Sequence, residues 1–402
     1  MNTCNTNVEH FVCSGINLLG NFENGCLVGL TERGAALWDS YVNGTIDDKG
    51  FAIADPELFS VLFQHGFCKQ PATISLPASA YIHVTERCNL SCVGCYSRNG
   101  TTDPDPTIES LETMLSFLKH HQIDRVHVSG GEPFLRKDID ALIRLSKERI
   151  GIKYIDIATN GTACKKETLR AMAQYVDLIC VSIGSYRTEC GNSIKGVGLF
   201  ETVMDNVQTM IGLGINVCLI PTIHSKNYTD IPHYIDLARK IGARVSFSLL
   251  SCSACNRNLG QYAFDDQSLN GLANTLYHLM QSTKRMPCLV AKKGCHAGVR
   301  QISLDVRGNI YPCHMLQAPP FLMGNAITGE LCSKSAHSPE LEKILSFDVD
   351  RHAVCRSCEY RNLCGGGCLA RSFCNDSSLD RVDPYCSLLK SFFFHSLQRA
   401  QQ

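Results

Sequence analysis

Apolar and polar positions alternate along residues 80–283 in a pattern that repeats six times. Short strand-like runs stand at Tyr81–Thr85, Arg125–Ser129, Lys153–Ala158, Asp177–Ile183, Asn216–Thr222 and Arg244–Leu250. Between them, apolar residues recur at helical spacing. Leu111, Leu115 and Leu118 make one such face, and Phe200, Val203, Val207 and Met210 another, stopped by Gly212 and Gly214. Strand then helix, six times over, predicts right-handed crossovers and a parallel sheet, either barrel-like or doubly wound.

The flanks read differently. In residues 1–75, Leu18–Glu23 and Cys26–Thr31 enclose Asn24-Gly25, a two-residue hairpin signal. A helix is predicted from Glu32 to Val42, stopped by Asn43-Gly44. A second starts at Asp55-Pro56, a capping residue followed by proline at the first helical position, and Gly66 ends it. Hairpin plus short helices fits a winged-helix-like module, with Trp38 in its core. Residues 284–388 show poor periodicity and carry ten of the chain's 23 cysteines, so they are expected to be loop-rich and held by something other than an apolar core. An apolar helix, Leu388–Leu397, closes the chain, and 389–402 is set apart as the C-terminal helical segment.

The length of 402 residues allows two to three domains. With 44% hydrophobic and 19% charged residues the chain reads as globular. Lys+Arg and Asp+Glu both number 38, which gives no electrostatic reason to expect nucleic acid or an anionic membrane as partner. Met1–His10 contains no Lys or Arg, so it lacks the charged start of a secretory signal, and no uninterrupted apolar run reaches a membrane span. A cytoplasmic location follows as the expectation. There thiols stay reduced, and abundant cysteine points to metal or redox chemistry before disulfides.

Two cysteine constellations carry that chemistry. Cys88-x3-Cys92-x2-Cys95 follows the first strand of the repeat. Three thiolates on one tight loop can hold three irons of a 4Fe-4S cluster and leave the fourth open. Gly130-Gly131-Glu132-Pro133 follows strand two, Asn160-Gly161-Thr162 follows strand three, and Ser182 ends strand four. All sit at the carboxyl ends of strands, where parallel sheets place their ligands. The glycines permit close backbone approach, Glu132 offers an acceptor for an ammonium group, and Ser182 a partner for a ribose hydroxyl. The second constellation is Cys355-x2-Cys358-x5-Cys364-x3-Cys368, a spacing expected by chance only about 0.004 times in such a chain. Cys295 and Gly308-x4-Cys313 precede it and Cys386 follows. Structural zinc is the alternative occupant of its Cys-x2-Cys pair.

The first set, taken with Thr159-Asn160-Gly161-Thr162, resembles the radical S-adenosylmethionine (SAM) superfamily across roughly residues 80–283. The resemblance implies a partial (β/α)6 TIM-like barrel. It implies a cluster on Cys88, Cys92 and Cys95 whose open iron chelates SAM, with Gly130, Gly131, Glu132, Asn160 and Ser182 around the cofactor. The one-electron-reduced cluster would cleave SAM to a 5′-deoxyadenosyl radical that abstracts hydrogen from substrate. The second set resembles the SPASM extension of peptide and protein maturases, which in its fullest form holds two auxiliary 4Fe-4S clusters. That resemblance assigns Cys295, Cys313 and Cys368 to one, with Cys288 as its candidate fourth ligand. It assigns Cys355, Cys358, Cys364 and Cys386 to the other, for three clusters in all. The N-terminal module is similar to the winged-helix domain that captures leader peptides by strand addition; a lid over the barrel is its alternative role.

The chain departs from these families at three places. Ser182-Ile183-Gly184-Ser185 stands where relatives often read Ser-Ile-Asp-Gly, and Lys195-Gly196 where an Arg-x-Gly-like element is common. His314 follows Cys313, where anaerobic sulfatase maturases carry an aspartate base. Histidine can also accept a proton near neutrality, so His314 is a catalytic candidate. Cys252 and Cys255, after strand six, are candidate hydrogen donors to a substrate radical, and Cys190 a weaker one. The expected function is a radical SAM maturase that oxidises a residue of a ribosomally made precursor peptide, favouring a C–S or C–C cross-link, with a flavodoxin or ferredoxin type reductant as second partner. Sulfatase maturation or small-molecule oxidation is the alternative within enzymes. A non-catalytic iron–sulfur electron carrier is the alternative outside them.

Overall fold

The computed structural model describes residues 5, 7–68, 78–97, 104–188, 193–254, 256–282 and 288–401. The chain opens on an antiparallel sheet of β1 (Val8–Cys13), β2 (Ile16–Asn21) and β3 (Leu27–Leu30), in that order. Asn24 makes the expected turn: its Oδ1 accepts from Cys26 N at 2.9 Å, and Gly25 takes φ 80°. Three helices follow, α1 (Glu32–Val42), α2 (Asp48–Ala54) and α3 (Pro56–Gln64). Thr31 caps α1 and Asp55 caps α3, each side chain accepting from the backbone three residues on at 3.0 Å. Leu19, Trp38, Tyr41, Phe51, Leu62 and Phe67 form the module's own core. Strand β1 and helix α2 were not legible in the sequence. The first is set by the two-residue turn Ser14-Gly15, and the second buries only Phe51.

The repeat folds as expected into β4 (Ser79–His83), α4 (Ile108–His120), β5 (Arg125–Ser129), α5 (Ile139–Glu148), β6 (Tyr154–Thr159), α6 (Lys166–Met172), β7 (Leu178–Ile183), α7 (Phe200–Gly212), β8 (Val217–Ile223) and α8 (Ile231–Ile241). Strands β4 to β8 pair in parallel and in sequence order. The sixth strand differs from the expected Arg244–Leu250: it is two short pieces, β9 (Arg244–Val245) and β10 (Ser248–Leu249), both parallel to β8. The cause lies in β8. Ser246 N donates to Leu219 O and Leu250 N to Ile223 O, but between those carbonyls stands Pro221, which has no N–H to return. The sheet is therefore an open, partial barrel.

Helix α9 (Asp266–Ser282) leads to the C-terminal region: β11 (Gln301–Leu304), β12 (Asn309–Tyr311), β13 (Gly324–Asn325), β14 (Glu330–Leu331), α10 (Pro339–Leu345), α11 (Arg361–Cys364), α12 (Leu369–Asp376) and α13 (Cys386–Ala400). Strand β11 pairs in parallel with β4, so this region extends the barrel sheet directly. The expectation that it lacks an apolar core is corrected. Leu316, Phe321, Ile344, Leu369 and Leu379 form one buried cluster. Phe11 and Leu18 of the N-terminal sheet join Tyr360, Leu363, Phe393 and Leu397 in another. These residues come from short, separate elements, so no single periodic stretch announced them.

Alternate residues on the strands divide the barrel into two faces. Ala80, Ile82, Val126, Val128, Ile155, Ile157, Ile179 and Val181 are buried with the helices in one apolar core. The opposite face carries Tyr81, His83, His127, Ser129 and Asp156, a polar and aromatic inner wall. Among the described residues, no helix is long and apolar enough to cross a membrane.

Phe393 of α13 stacks on Tyr360 within the cluster that joins the N-terminal module, the cysteine-rich loop and α13. Phe393→Ala is expected to cost about 3–5 kcal/mol, read by chemical denaturation, and to speed amide exchange in β1. Unchanged exchange in β1 would show that the module does not depend on this cluster.

Candidate functional site

The site begins where two backbones touch. Gly131 N donates to Thr85 O at 2.7 Å and Glu132 N to Arg87 O at 2.8 Å. A Cβ on Gly130 would stand 2.2 Å from Thr85 O, and one on Gly131 2.1 Å from Arg87 O. The close approach that requires these glycines is thus to the chain itself, to the segment that leads into Cys88. Glu132 is fully buried and acts as a strut: Oε1 accepts from Phe134 N and Thr159 Oγ1, and Oε2 from Asn160 N at 2.7 Å. It ties the end of β5 to the end of β6. Only part of its lone-pair capacity remains for the ammonium group expected of it.

Cys88, Cys92 and Cys95 share the loop after β4, with Cys88 exposed and the other two half-buried. Burial raises the Cys92 thiol; nearby Lys195 lowers it, and Cys95 and Cys88 on the same loop raise it further. Asn160 reaches back to this loop, donating to Asn89 Oδ1 at 2.9 Å and toward Cys88 Sγ at 3.9 Å. Next to it, Ser182, Gly184, Ser185 and Lys195 line a cleft of about 430 Å³. The Ser182 hydroxyl donates to Thr159 O at 3.1 Å and accepts from the Lys195 ammonium. A Cβ on Gly184 would stand 2.2 Å from Ser193 Oγ, so a side chain there would require that hydroxyl to turn away.

Lys195 is the residue that sequence reasoning undervalued. Burial pushes it down to about 8, against the opposing pull of Cys92, Glu132, Cys88 and Cys95. It remains mostly charged at neutral pH, a cation held between the cysteine loop and the cleft. Its half-buried place beside the cysteine loop depends on the fold and leaves no trace in the sequence pattern.

The C-terminal thiols separate into two groups. Cys295, Cys313 and Cys368 pack against one apolar cluster, in which Cys374 is buried. Burial pushes Cys313 well above the usual thiol range, and Cys368, Cys295 and Cys374 add to the shift. Cys288 is exposed and not part of that cluster. Cys252 packs here too, its Sγ 3.4 Å from Arg257 O. Cys255 and Cys190 lie outside the described residues. The second group, Cys355, Cys358, Cys364 and Cys386, lines one cleft of about 490 Å³. Burial pushes Cys355 up to about 11, with Cys364, Cys386 and Cys358 contributing. Among the described residues no three Cys, His, Asp or Glu side chains converge on a single ion. Four thiols around a shared space are the donor set that a multi-iron cluster takes, one sulfur to each iron.

The inner wall connects these places. Tyr81 stacks on His127 at 4.7 Å and meets His314 in a tilted contact at 4.4 Å, and His314 meets the edge of Tyr96 at 4.9 Å. Tyr96 adjoins Cys95 and His314 adjoins Cys313, so an aromatic contact bridges the two cysteine loops. Burial, then neighbouring His127, pushes His314 down to about 4; burial and His314 push His83 to about 3. Both are neutral at pH 7, which makes His314 a weak proton acceptor there.

Residues 82–238 match the family profile described as the Radical SAM superfamily. The mycofactocin maturase MftC of Mycolicibacterium smegmatis is 26% identical over 325 residues, 75% of this chain and 81% of that protein. Streptococcus suis SuiB bound to precursor peptide SuiA superposes with a TM-score of 0.61 at 17% identity, covering 96% of this chain and 100% of that one. Native anSMEcpe with bound AdoMet gives 0.65 at 16% identity over 80% and 98%. The chain carries a radical SAM domain and is a radical SAM enzyme, which implies SAM and a 4Fe-4S cluster as its cofactors.

Gly131→Ala is expected to cost about 1–3 kcal/mol, because the new methyl meets a backbone carbonyl that cannot retreat; thermal denaturation reads it. The buried histidines also set an acid limit. His83 and His314 have folded pKa values below the unfolded value of 6.5, so the unfolded chain binds more protons as pH falls. Stability is therefore full above pH 6.5. It should fall by about 1.4 kcal/mol per pH unit per histidine as pH drops toward 4. A His83→Gln variant should show a shallower decline, and equal slopes would reject the assignment.

Proposed function

We propose that the protein is a peptide maturase: it abstracts hydrogen from a residue of a ribosomally made precursor peptide and oxidatively modifies it, with a C–S or C–C cross-link as the favoured outcome. The observation that carries this reading is the separation of the cysteines into three groups on one frame. One lies on the barrel rim and two lie in the C-terminal region, which is docked against a small N-terminal sheet and helix module. MftC is named a maturase, and SuiB was solved with a precursor peptide, which supports a peptide as partner.

In this reading residues 1–75 recognise the peptide, 80–283 form the radical SAM core, 284–388 hold auxiliary clusters and 389–402 close the chain. Cys88, Cys92 and Cys95 hold the SAM-binding cluster. Cys355, Cys358, Cys364 and Cys386 hold one auxiliary cluster, and Cys295, Cys313 and Cys368 the other. Cys288 is the proposed fourth ligand of the latter; Cys374, buried in the same apolar cluster, is the competing one. Cluster and SAM together supply the radical. The chain's residues do the rest: the Gly130–Glu132 turn fixes the cysteine loop, Asn160 and Ser182 border the SAM cleft, and Lys195 puts a cation where a carboxylate can be met. A cytoplasmic setting and a flavodoxin or ferredoxin type reductant complete the proposal. Cys252 sits with the C-terminal thiols, which makes it a poorer hydrogen donor at the SAM rim than the sequence implied.

The test uses anaerobically reconstituted protein, reductant, SAM and the short peptide encoded beside the gene, with peptide mass read in light and heavy water. Loss of two hydrogens supports the proposal. One deuterium gained would mean epimerisation, and 5′-deoxyadenosine with an unchanged peptide would move the reading to a small-molecule or other protein substrate. Cys92→Ala is expected to abolish SAM cleavage, while Cys358→Ala keeps cleavage and stops peptide turnover. Iron near twelve per chain is expected for three clusters, about four each. A drop of about four in Cys374→Ala but not in Cys288→Ala would move the fourth ligand to Cys374.

A further inference from the structure

The inner wall of the barrel holds one imidazole placed differently from the rest. His127 projects from the middle of β5 opposite Asp156 of β6, and its Nδ1 lies 3.1 Å from Asp156 Oδ2. Arg125, on the same face of β5, donates to that oxygen at 2.9 Å. Burial alone would raise the Asp156 carboxyl, but the contacts from His127 and Arg125 outweigh it and hold it below the usual carboxylate range. Asp156 is thus ionised, and an ionised carboxylate can only accept. The neutral His127 ring must therefore present Nδ1–H to it, and in that form the lone pair stands on Nε2. Tyr81 stacks on the ring and fixes its plane. The His127 side chain keeps 23% exposure, whereas Asp156 behind it keeps 6%.

We propose that His127 is the proton acceptor of the substrate reaction, with Asp156 as its positioning residue. This rests on the reading of the protein as a peptide maturase. The step moves one proton and no electrons: a substrate X–H bond gives its proton to the Nε2 lone pair, and the electron pair stays on the substrate. The imidazolium so formed faces the Asp156 carboxylate. The other groups facing His127 do not compete. His83 and His314 are buried neutral imidazoles, Tyr81 and Tyr96 are phenols raised by burial, Cys180 on β7 is a thiol raised by burial, and Ser129 is engaged with Tyr96. Two residues along the same face, Ser129 ends β5 at the Gly130-Gly131 turn. The imidazole therefore sits on the strand that leads to the proposed SAM site.

The experiment compares wild type, His127→Gln and Asp156→Asn as reconstituted holoenzymes with the peptide encoded beside the gene. Modified peptide and 5′-deoxyadenosine are both measured from pH 5.5 to 9. In His127→Gln the product formed per 5′-deoxyadenosine should fall about 100-fold, and the acid limb of its pH profile should disappear. Asp156→Asn should fall less and shift that limb. An unchanged ratio and profile in His127→Gln would overturn the proposal. So would an equal fall of product and 5′-deoxyadenosine, which would mark a structural role. If the wild type leaves the peptide unmodified, the maturase reading fails by itself. The inference is then decided on the ¹⁵N-histidine-labelled wild-type protein by NMR. An Nδ1–H tautomer that is lost in Asp156→Asn supports it, and an Nε2–H tautomer in the wild type overturns it.

Discussion

The contact on which the site depends is the seating of Gly130-Gly131 on the backbone of Thr85–Arg87. Two main-chain hydrogen bonds and an approach that excludes any Cβ lock the end of β5 to the segment between β4 and Cys88. Glu132 then carries the lock across to β6, and Arg136 donates to Val84 O at 2.9 Å from the other side. A loop bearing three thiols has little apolar surface with which to order itself. Here the order is imported from the sheet, through backbone hydrogen bonds to Thr85 and Arg87. The requirement for glycine at 130 and 131 is a packing requirement first, and the chemistry follows from where the packing leaves Cys88, Cys92 and Cys95.

A second constraint follows from the polar inner wall. Burying His83, His127 and Asp156 in a barrel costs desolvation that an apolar filling would avoid. The structure offsets it by pairing: Arg125 and His127 share Asp156, Tyr96 shares its hydroxyl with Ser129, and Tyr81 lies between two imidazoles. His83 Nε2 and Asp156 Oδ1 stay buried without partners among the described residues. Stability is carried on the outer faces of the strands, where Ile82, Val128, Ile157 and Val181 meet the helices. The division leaves the interior free to be chosen for chemistry, and it is legible as simple alternation along β4 to β6.

The alternation and the cysteine spacings are what the sequence expresses strongly, because each is local. Strand β5 and helix α1 fall where the pattern placed them. Properties that arise from distant segments were not legible. Pro221 interrupts the ladder of a strand more than twenty residues later, and β11 pairs with a strand more than 200 residues earlier. Lys195 is half-buried between the cysteine loop, Glu132 and Ser182, and Cys252 is drawn to the C-terminal thiols because Ala254 N bonds Met315 O at 2.9 Å. The fate of His314 is of the same kind. Its identity promised a base at neutral pH, and its burial withdraws that promise.

The N-terminal module is not a free appendage. Ser14 N donates to Glu359 Oε2 at 2.9 Å, and Lys293 bonds both Glu9 and Asp350, whose other oxygen accepts from Arg361 at 2.8 Å. Glu359 and Arg361 stand between Cys358 and Cys364, so the polar contacts that dock the module end on the same loop that carries the second thiol group. Phe11 and Leu18 add apolar contact to Tyr360 and Leu363 of that loop. The cluster proposed on this loop and the docked module would both order it, which links the two energetically, since whatever orders the loop for one partner reduces the entropy cost for the other. The four thiols and the module's inner sheet face are thus joined by one short stretch of chain, residues 358–364, and not by a long pathway.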